Sequence, residues 1–184
     1  MNIDDYTNYN GWEFSARLAF DQMNEYRQVY TELSSDKKVK LAHNFYDHVF
    51  RCNDRSAEWK SENALGKLAK HTTEDHPFSA RVAHRAIMND NQYFLDDFNL
   101  FAPKFYELIQ KITITPKENS GVKIRPDHNG DVIVPVYITE RYSQIKSFKN
   151  KNTKNTVFEF PLPVPEWYGK YERSKVPANL SEFL

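Results

Sequence analysis

Glycine is scarce. Only five occur in 184 residues, too few for a Gly-rich phosphate loop or a run of tight hairpins, and neither GxGxxG nor a P-loop pattern is present. Enzymes of the common nucleotide-binding classes are therefore disfavoured. Cys52 is the sole cysteine, which excludes an internal disulfide framework and fits a reducing, intracellular setting. One charge sign does not dominate either, because 25 Lys+Arg balance 25 Asp+Glu. The chain thus lacks the global field of a dedicated non-specific nucleic-acid binder, while a local basic face is still allowed. No apolar run approaches the roughly 18 residues of a membrane span, and the polar start Met1-Asn2-Ile3-Asp4-Asp5 has no apolar leader segment. A cytoplasmic protein without membrane contact is the expectation.

What is present is aromatic area. Apolar residues make up 40% and aromatics 15% of the chain, enough for burial to offset chain entropy in a domain of ordinary size. Abundant Asn, Lys, Tyr and Phe also fit an AT-rich gene, a genomic bias that colours every Lys/Asn-rich stretch.

Residues 1–11 read as a polar arm. From Trp12 to Leu33, Phe14, Leu18, Ala19, Met23, Tyr26, Tyr30 and Leu33 recur at three- and four-residue spacing, one amphipathic helix. Ser34 or Ser35 caps a second helix with Asp36 in its first turn, its stripe being Val39, Ala42, Phe45, Tyr46 and Val49. A third helix is expected over Ala57–Lys70, with Ala64, Leu65 and Leu68 inward. Pro77 suits the first turn of a fourth, whose buried face is Phe78, Val82, Ala83, Ala86 and Ile87. Helices over 92–101 and 103–112 complete a bundle-like body.

The pattern changes near Thr113. Thr115-Pro116-Lys117-Glu118 has a cap, a first-turn proline and an acid three residues on, predicting a helical turn. The runs 122–125 and 132–139 flank a connection containing Asn129-Gly130, a hairpin signal with Pro135 marking an edge. Thr156–Phe160 reads as a third strand. Pro161-Leu162-Pro163-Val164-Pro165 is stiff and extended, a strap packed on the domain. The fold class expected is α+β in a single domain, residues 1–184. It comprises a mostly helical bundle-like body (12–112), a small antiparallel β element (113–160) and a proline-rich C-terminal strap (161–184).

The densest chemistry lies between His71 and Arg85, which holds three of the six histidines, two adjacent acids and two arginines. His76 is a candidate general base or metal ligand, oriented by Glu74 or Asp75, with Arg81 and Arg85 one helical turn apart to hold a phosphate. The same residues also read as an acidic helix cap followed by a solvated charged face. A second basic stretch runs from Thr139 to Asn155, where Arg141, Lys146, Lys149, Lys151 and Lys154 face only Glu140 in opposition. These cations would bind phosphate while Tyr142 or Phe148 stacks on a base, or else form a soluble loop. His43, His48 and Cys52, joined by His71 or His76, give a possible metal set, although a lone cysteine with scattered histidines is usually packing. The aromatic group Tyr6, Tyr9, Trp12 and Phe14 fits a partner surface or the core.

The Asp75-His76 dyad resembles the first element of HNH-type nucleases, in which an acid and a histidine precede an asparagine and a final histidine that together hold a divalent metal. On that resemblance Asn89, Asn91 or Asn99 would take the asparagine position, while no histidine follows His84 until His128. Four further pieces are similar to uncharacterised proteins of large-genome tailed phages, particularly those of marine bacteria. They are Thr73-Glu74-Asp75-His76, the Ala80–Asn91 helix, Thr115-Pro116-Lys117-Glu118-Asn119 and Pro161–Tyr168. Such a resemblance implies host takeover, nucleic-acid metabolism or a mobile nuclease. Two functions follow as expectations. One is a phage-type accessory protein that binds nucleic acid or a host protein through the basic segment and Arg81 and Arg85. The other is a small metal-dependent nuclease using Glu74, Asp75 and His76 with a divalent metal as cofactor.

Overall fold

The computed structural model describes residue 9, residues 11–50, 52, 55–122, 125–126, 132–133 and 138–169. The chain divides into two compact units, one made of Met1–Arg55, Phe78–Ile109 and Leu184, the other of Ser56–Pro77 and Gln110–Phe183.

The first unit is helical. Helix α1 (Trp12–Tyr26) buries Ala16, Ala19, Phe20, Met23 and Tyr26, the three- and four-residue spacing of one face. A 3-10 segment, Arg27–Glu32, adds the buried Tyr30. Helix α2 (Ser35–Phe50) contributes Ala42, Phe45 and Val49. Helix α3 (Ala80–Asp90) buries Val82, Ala83, His84, Ala86, Ile87 and Met88. It starts at Ala80 rather than Pro77, because the Ser79 side chain accepts the Val82 amide and caps it there. Asn91 closes it, its side-chain amide donating to the Ala86 carbonyl at 2.8 Å. After a short 3-10 turn at Gln92–Leu95, Asp97 caps α4 (Phe98–Leu108) by accepting the Asn99 amide at 2.9 Å. Pro103 lies inside α4 rather than at its start. An interior proline costs about 3 kcal/mol, and the fully buried Phe101 and Phe105 on either side of it supply the packing that offsets this.

The second unit is built on a five-stranded sheet in the order β2-β3-β1-β6-β7. Its strands are β1 (Trp59–Ser61), β2 (Thr73–Asp75), β3 (Ile112–Ile114), β6 (Phe148–Asn150) and β7 (Thr156–Val157). β1 and β3 run parallel and the other pairs antiparallel. The α+β class stands, but the sheet is mixed, and two of its strands, β1 and β2, come from the stretch expected to be the helical body. The third expected helix is absent: 57–70 forms β1, a 3-10 turn at Glu62–Ala64 and a bend at Gly66, with Leu65 and Leu68 exposed rather than inward. Gly66 adopts φ +70 there, a left-handed conformation that ends any helical run. Ile112, expected to end a helix, instead begins a central strand, Ile112-Thr113-Ile114. Its β-branched side chains are buried on both faces.

Thr115 caps α5 (Pro116–Val122), the helical turn its sequence predicts. A two-stranded pair, β4 (Arg125–Pro126) with β5 (Val132–Ile133), occupies part of the expected hairpin. Ile138–Arg141 forms helix α6 rather than the end of a strand. Residues 127–131 and 134–137, with His128 and Pro135, lie outside the described residues. In the strap, Leu162 is buried and α7 (Glu166–Gly169) buries Tyr168. Among the described residues no helix is long and apolar enough to cross a membrane.

Candidate nucleic-acid interface

The register of the second unit's sheet aligns one residue from every strand in a single row. Glu74 pairs with Thr113, Thr113 with Lys60, Lys60 with Lys149, and Lys149 with Thr156. Directly opposed positions present their side chains on the same face, so this row defines one face of the sheet. The other face holds Ile112, Ile114, Ser61 and Phe148, all at most 1% exposed. Alternation along each strand therefore separates a fully packed side from one whose row is polar, although Thr113 in that row is itself buried. On the polar side Lys60 and Lys149 are neighbours, both half-buried, and Thr156 is exposed at the edge.

The loop joining β6 to β7 extends this surface. Asn150 organises it: its side-chain oxygen accepts the amides of Asn152 at 2.8 Å and Thr153 at 3.0 Å. Lys151 and Lys154 lie on that loop, and the Lys154 ammonium donates to the Lys151 carbonyl. Immediately after β7, Phe158 is 79% exposed, the most exposed large hydrophobic side chain described. Leaving an aromatic ring in water forfeits about 1.5–3 kcal/mol of burial.

Of the cations expected to bind phosphate in this region, Lys149, Lys151 and Lys154 therefore group at the β6–β7 end of the sheet. Lys146 is exposed on the segment leading into β6. Arg141 sits apart from them on α6, its guanidinium donating to the Pro77 carbonyl at 2.9 Å. The expected stacking residues do not serve: Tyr142 and Phe148 are each 1% exposed and belong to the core. The Tyr142 hydroxyl donates to the Asp75 carboxylate, and its ring packs on Phe160 at 5.1 Å. Burial, with the Asp75 charge beside it, holds the Tyr142 hydroxyl well above its ordinary pKa. Lys60 and Phe158, which sequence reasoning missed, supply the second cation and the exposed ring.

Glu74 and Asp75 are successive residues of β2 and point to opposite faces. Glu74 forms an ion pair with Lys111 at 3.5 Å and accepts the Ala57 amide at 3.4 Å. The Lys111 side chain is only 3% exposed, so its ammonium depends on that carboxylate. His76 follows the strand. Burial pushes its pKa down to about 4, reinforced by the Lys111 charge and opposed by Asp75 and Glu74. At neutral pH it is an uncharged imidazole. Its acid neighbours are thus directed to Lys111 and to Tyr142.

Arg81 and Arg85 belong to the first unit, on α3. Arg81 lies against the His43 ring, 2.9 Å from Nε2 and 3.2 Å from Nδ1. The nearby His84 is fully buried among Tyr26, Tyr30 and Phe45, with Nε2 2.9 Å from the Tyr26 hydroxyl. Burial pushes its pKa down to about 3. His48 pairs with Gln22 at 3.3 Å, and the Cys52 thiol donates to the His48 carbonyl at 3.3 Å. Among the described residues no three His, Cys, Asp or Glu side chains converge to hold a metal ion. In the N-terminal aromatic group, Tyr9 packs on Phe98 and Trp12 on Tyr106, while Phe14 is 41% exposed and Tyr6 lies outside the described residues. No family model, curated protein or solved structure matches the chain.

Proposed function

We propose that the protein is a nucleic-acid-binding accessory protein, of the phage type its short motifs imply, and that single strands bind on the polar face of the second unit's sheet. The observation that supports this most is the direct opposition of Lys60 and Lys149. Like charges in opposed positions destabilise a strand pair by about 0.2–1 kcal/mol, a cost that a phosphate between them reverses. Lys151 and Lys154 continue the cationic track, and Phe158 offers a ring on which a base stacks without regard to sequence.

A nuclease using Glu74, Asp75 and His76, with Arg81 and Arg85 on the phosphate, is the weaker reading. The two acids point to opposite sides of β2 and are engaged by Lys111 and Tyr142. A host-protein partner would use the same exposed face.

Fluorescence anisotropy of single-stranded DNA and RNA against the wild type and Lys149→Glu with Lys151→Glu tests the proposal. Weaker binding with a flatter salt dependence is the expected result. Equal binding by both proteins overturns it, and silence from the wild type favours a protein partner.

A further inference from the structure

We infer that a second site, at one end of the same sheet, binds a compact polyphosphate. The parallel strands β1 and β3 both finish there, and the chain leaving each one builds the walls. After β1, the 3-10 turn at Glu62–Ala64, the left-handed Gly66 and a second turn at Ala69–His71 carry Lys67, Lys70 and His71 round the rim before the chain enters β2. No atom lies within 4 Å of where a Gly66 side chain would begin, so it is the backbone reversal that calls for glycine there. After β3, Thr115 caps α5, which brings Lys117 to the opposite rim. The open pocket between them has a volume of about 800 Å³, within the range of small-ligand sites.

Its charge is one-sided. Lys67, Lys70 and Lys117 are all exposed, and among the described residues none has a carboxylate within ion-pair distance. The acid at the floor, Glu118, is turned to its own donors. One oxygen accepts the Ser61 hydroxyl at 2.8 Å, the Thr115 amide at 2.7 Å and the Thr115 hydroxyl at 2.8 Å; the other accepts the Asn63 amide at 3.1 Å. Three ammoniums around one concavity repel one another and, among the described residues, make no ion pair. A ligand with several adjacent negative oxygens relieves that repulsion, and 800 Å³ is more than one phosphate fills. Two sources share this chemistry: the phosphate chain of a free nucleotide and the phosphorylated end of a strand. The site uses none of Lys60, Lys149 or Phe158, so it stands or falls apart from the sheet-face proposal.

Titration calorimetry on the full chain, with sodium tripolyphosphate, ATP, and a 5′-phosphorylated against a 5′-hydroxyl oligonucleotide, tests the site. The variants are Lys67→Glu with Lys70→Glu, Lys117→Gln, and Lys149→Glu as a control outside the pocket. Tripolyphosphate is expected to bind the wild type and Lys149→Glu alike, and at least about tenfold more weakly to the Lys67/Lys70 variant, since each lost charge-assisted hydrogen bond contributes roughly that much. A preference for the 5′-phosphorylated strand that disappears in that variant identifies the strand end as the source. Binding of ATP without such a preference identifies a nucleotide. No tripolyphosphate binding at millimolar concentration, or equal weakening in Lys149→Glu, overturns the site. Loss of oligonucleotide binding in Lys149→Glu with tripolyphosphate binding intact separates failure of one proposal from failure of the other. Among the described residues the three lysines make no ion pair, so no pocket variant is expected to melt below the wild type.

Discussion

Lys60 and Lys149 stand directly opposite each other in the antiparallel pair of β1 and β6, two ammoniums on one face of a sheet whose other face is packed. Neighbouring strands lie about 4.8 Å apart, close enough for the two charges to share one phosphate group. On the proposed function, phosphate binding is tied to a local cost in stability.

Phe158 tests the stacking part of that account. Its ring is 79% exposed, so Phe158→Ala is expected to leave the melting temperature unchanged. Binding of a single-stranded oligonucleotide should weaken by about 1–3 kcal/mol, the contribution of one base–aromatic stack. Anisotropy titrations together with a thermal melt check both halves. A destabilised variant with unaltered binding would assign the ring to packing instead.

Glu118 is a structural acid with a defined pH signature. Burial pushes its pKa up, but hydrogen bonds from the Thr115 amide, Ser61, the Thr115 hydroxyl and Asn63 outweigh this and hold it below the usual carboxylate value. A carboxyl depressed in the folded state contributes stability that is complete above its unfolded pKa and is lost as pH falls through the folded value. Glu118→Gln should cost about 1–3 kcal/mol at neutral pH, and the difference from wild type should shrink in acid. Melting curves from pH 7 downward measure it; a constant difference would mean the charge plays no part.

His84 titrates in the same direction for a different reason. Burial lowers its pKa from 6.5 to about 3, so between those values the unfolded chain binds the additional proton. Stability is therefore full above about pH 6.5 and declines as pH falls towards 3. His84→Gln keeps a polar group for the Tyr26 hydroxyl and removes the titration. Its melting temperature is expected to fall less steeply with acid than that of the wild type, and parallel profiles would refute the assignment.

The parts legible from sequence are those whose partners lie within a few residues. The cap at Thr115 and Glu118 is one, and most of the stripes of α1 and α2, repeating over several turns, are another, although Phe14 and Tyr46 turn out exposed. β1 is illegible for the opposite reason. Trp59-Lys60-Ser61 is too short to display alternation, and its partners Ile112 and Asn150 lie far along the chain. Because β1 reads as helix, Lys60 never joins Lys149 in a linear reading, although the lysines of 149–154 already stand out by charge. Phe158 is hidden likewise, since an aromatic beside a strand is more often buried than exposed. Glu74 and Asp75 read as an acidic segment before a helix, whereas they lie on β2, where a strand directs adjacent side chains apart.

The most direct measurement is the salt dependence of single-strand binding by the variant carrying Lys60→Thr and Lys149→Thr, taken together with its thermal stability. The account predicts weaker binding, with the slope of log K against log salt reduced by about 0.7 for the one phosphate the pair shares on a single strand. It also predicts stability equal to or up to about 1 kcal/mol above wild type, because the like-charge pair is gone. Unchanged affinity and slope would contradict the account and remove this sheet face from function.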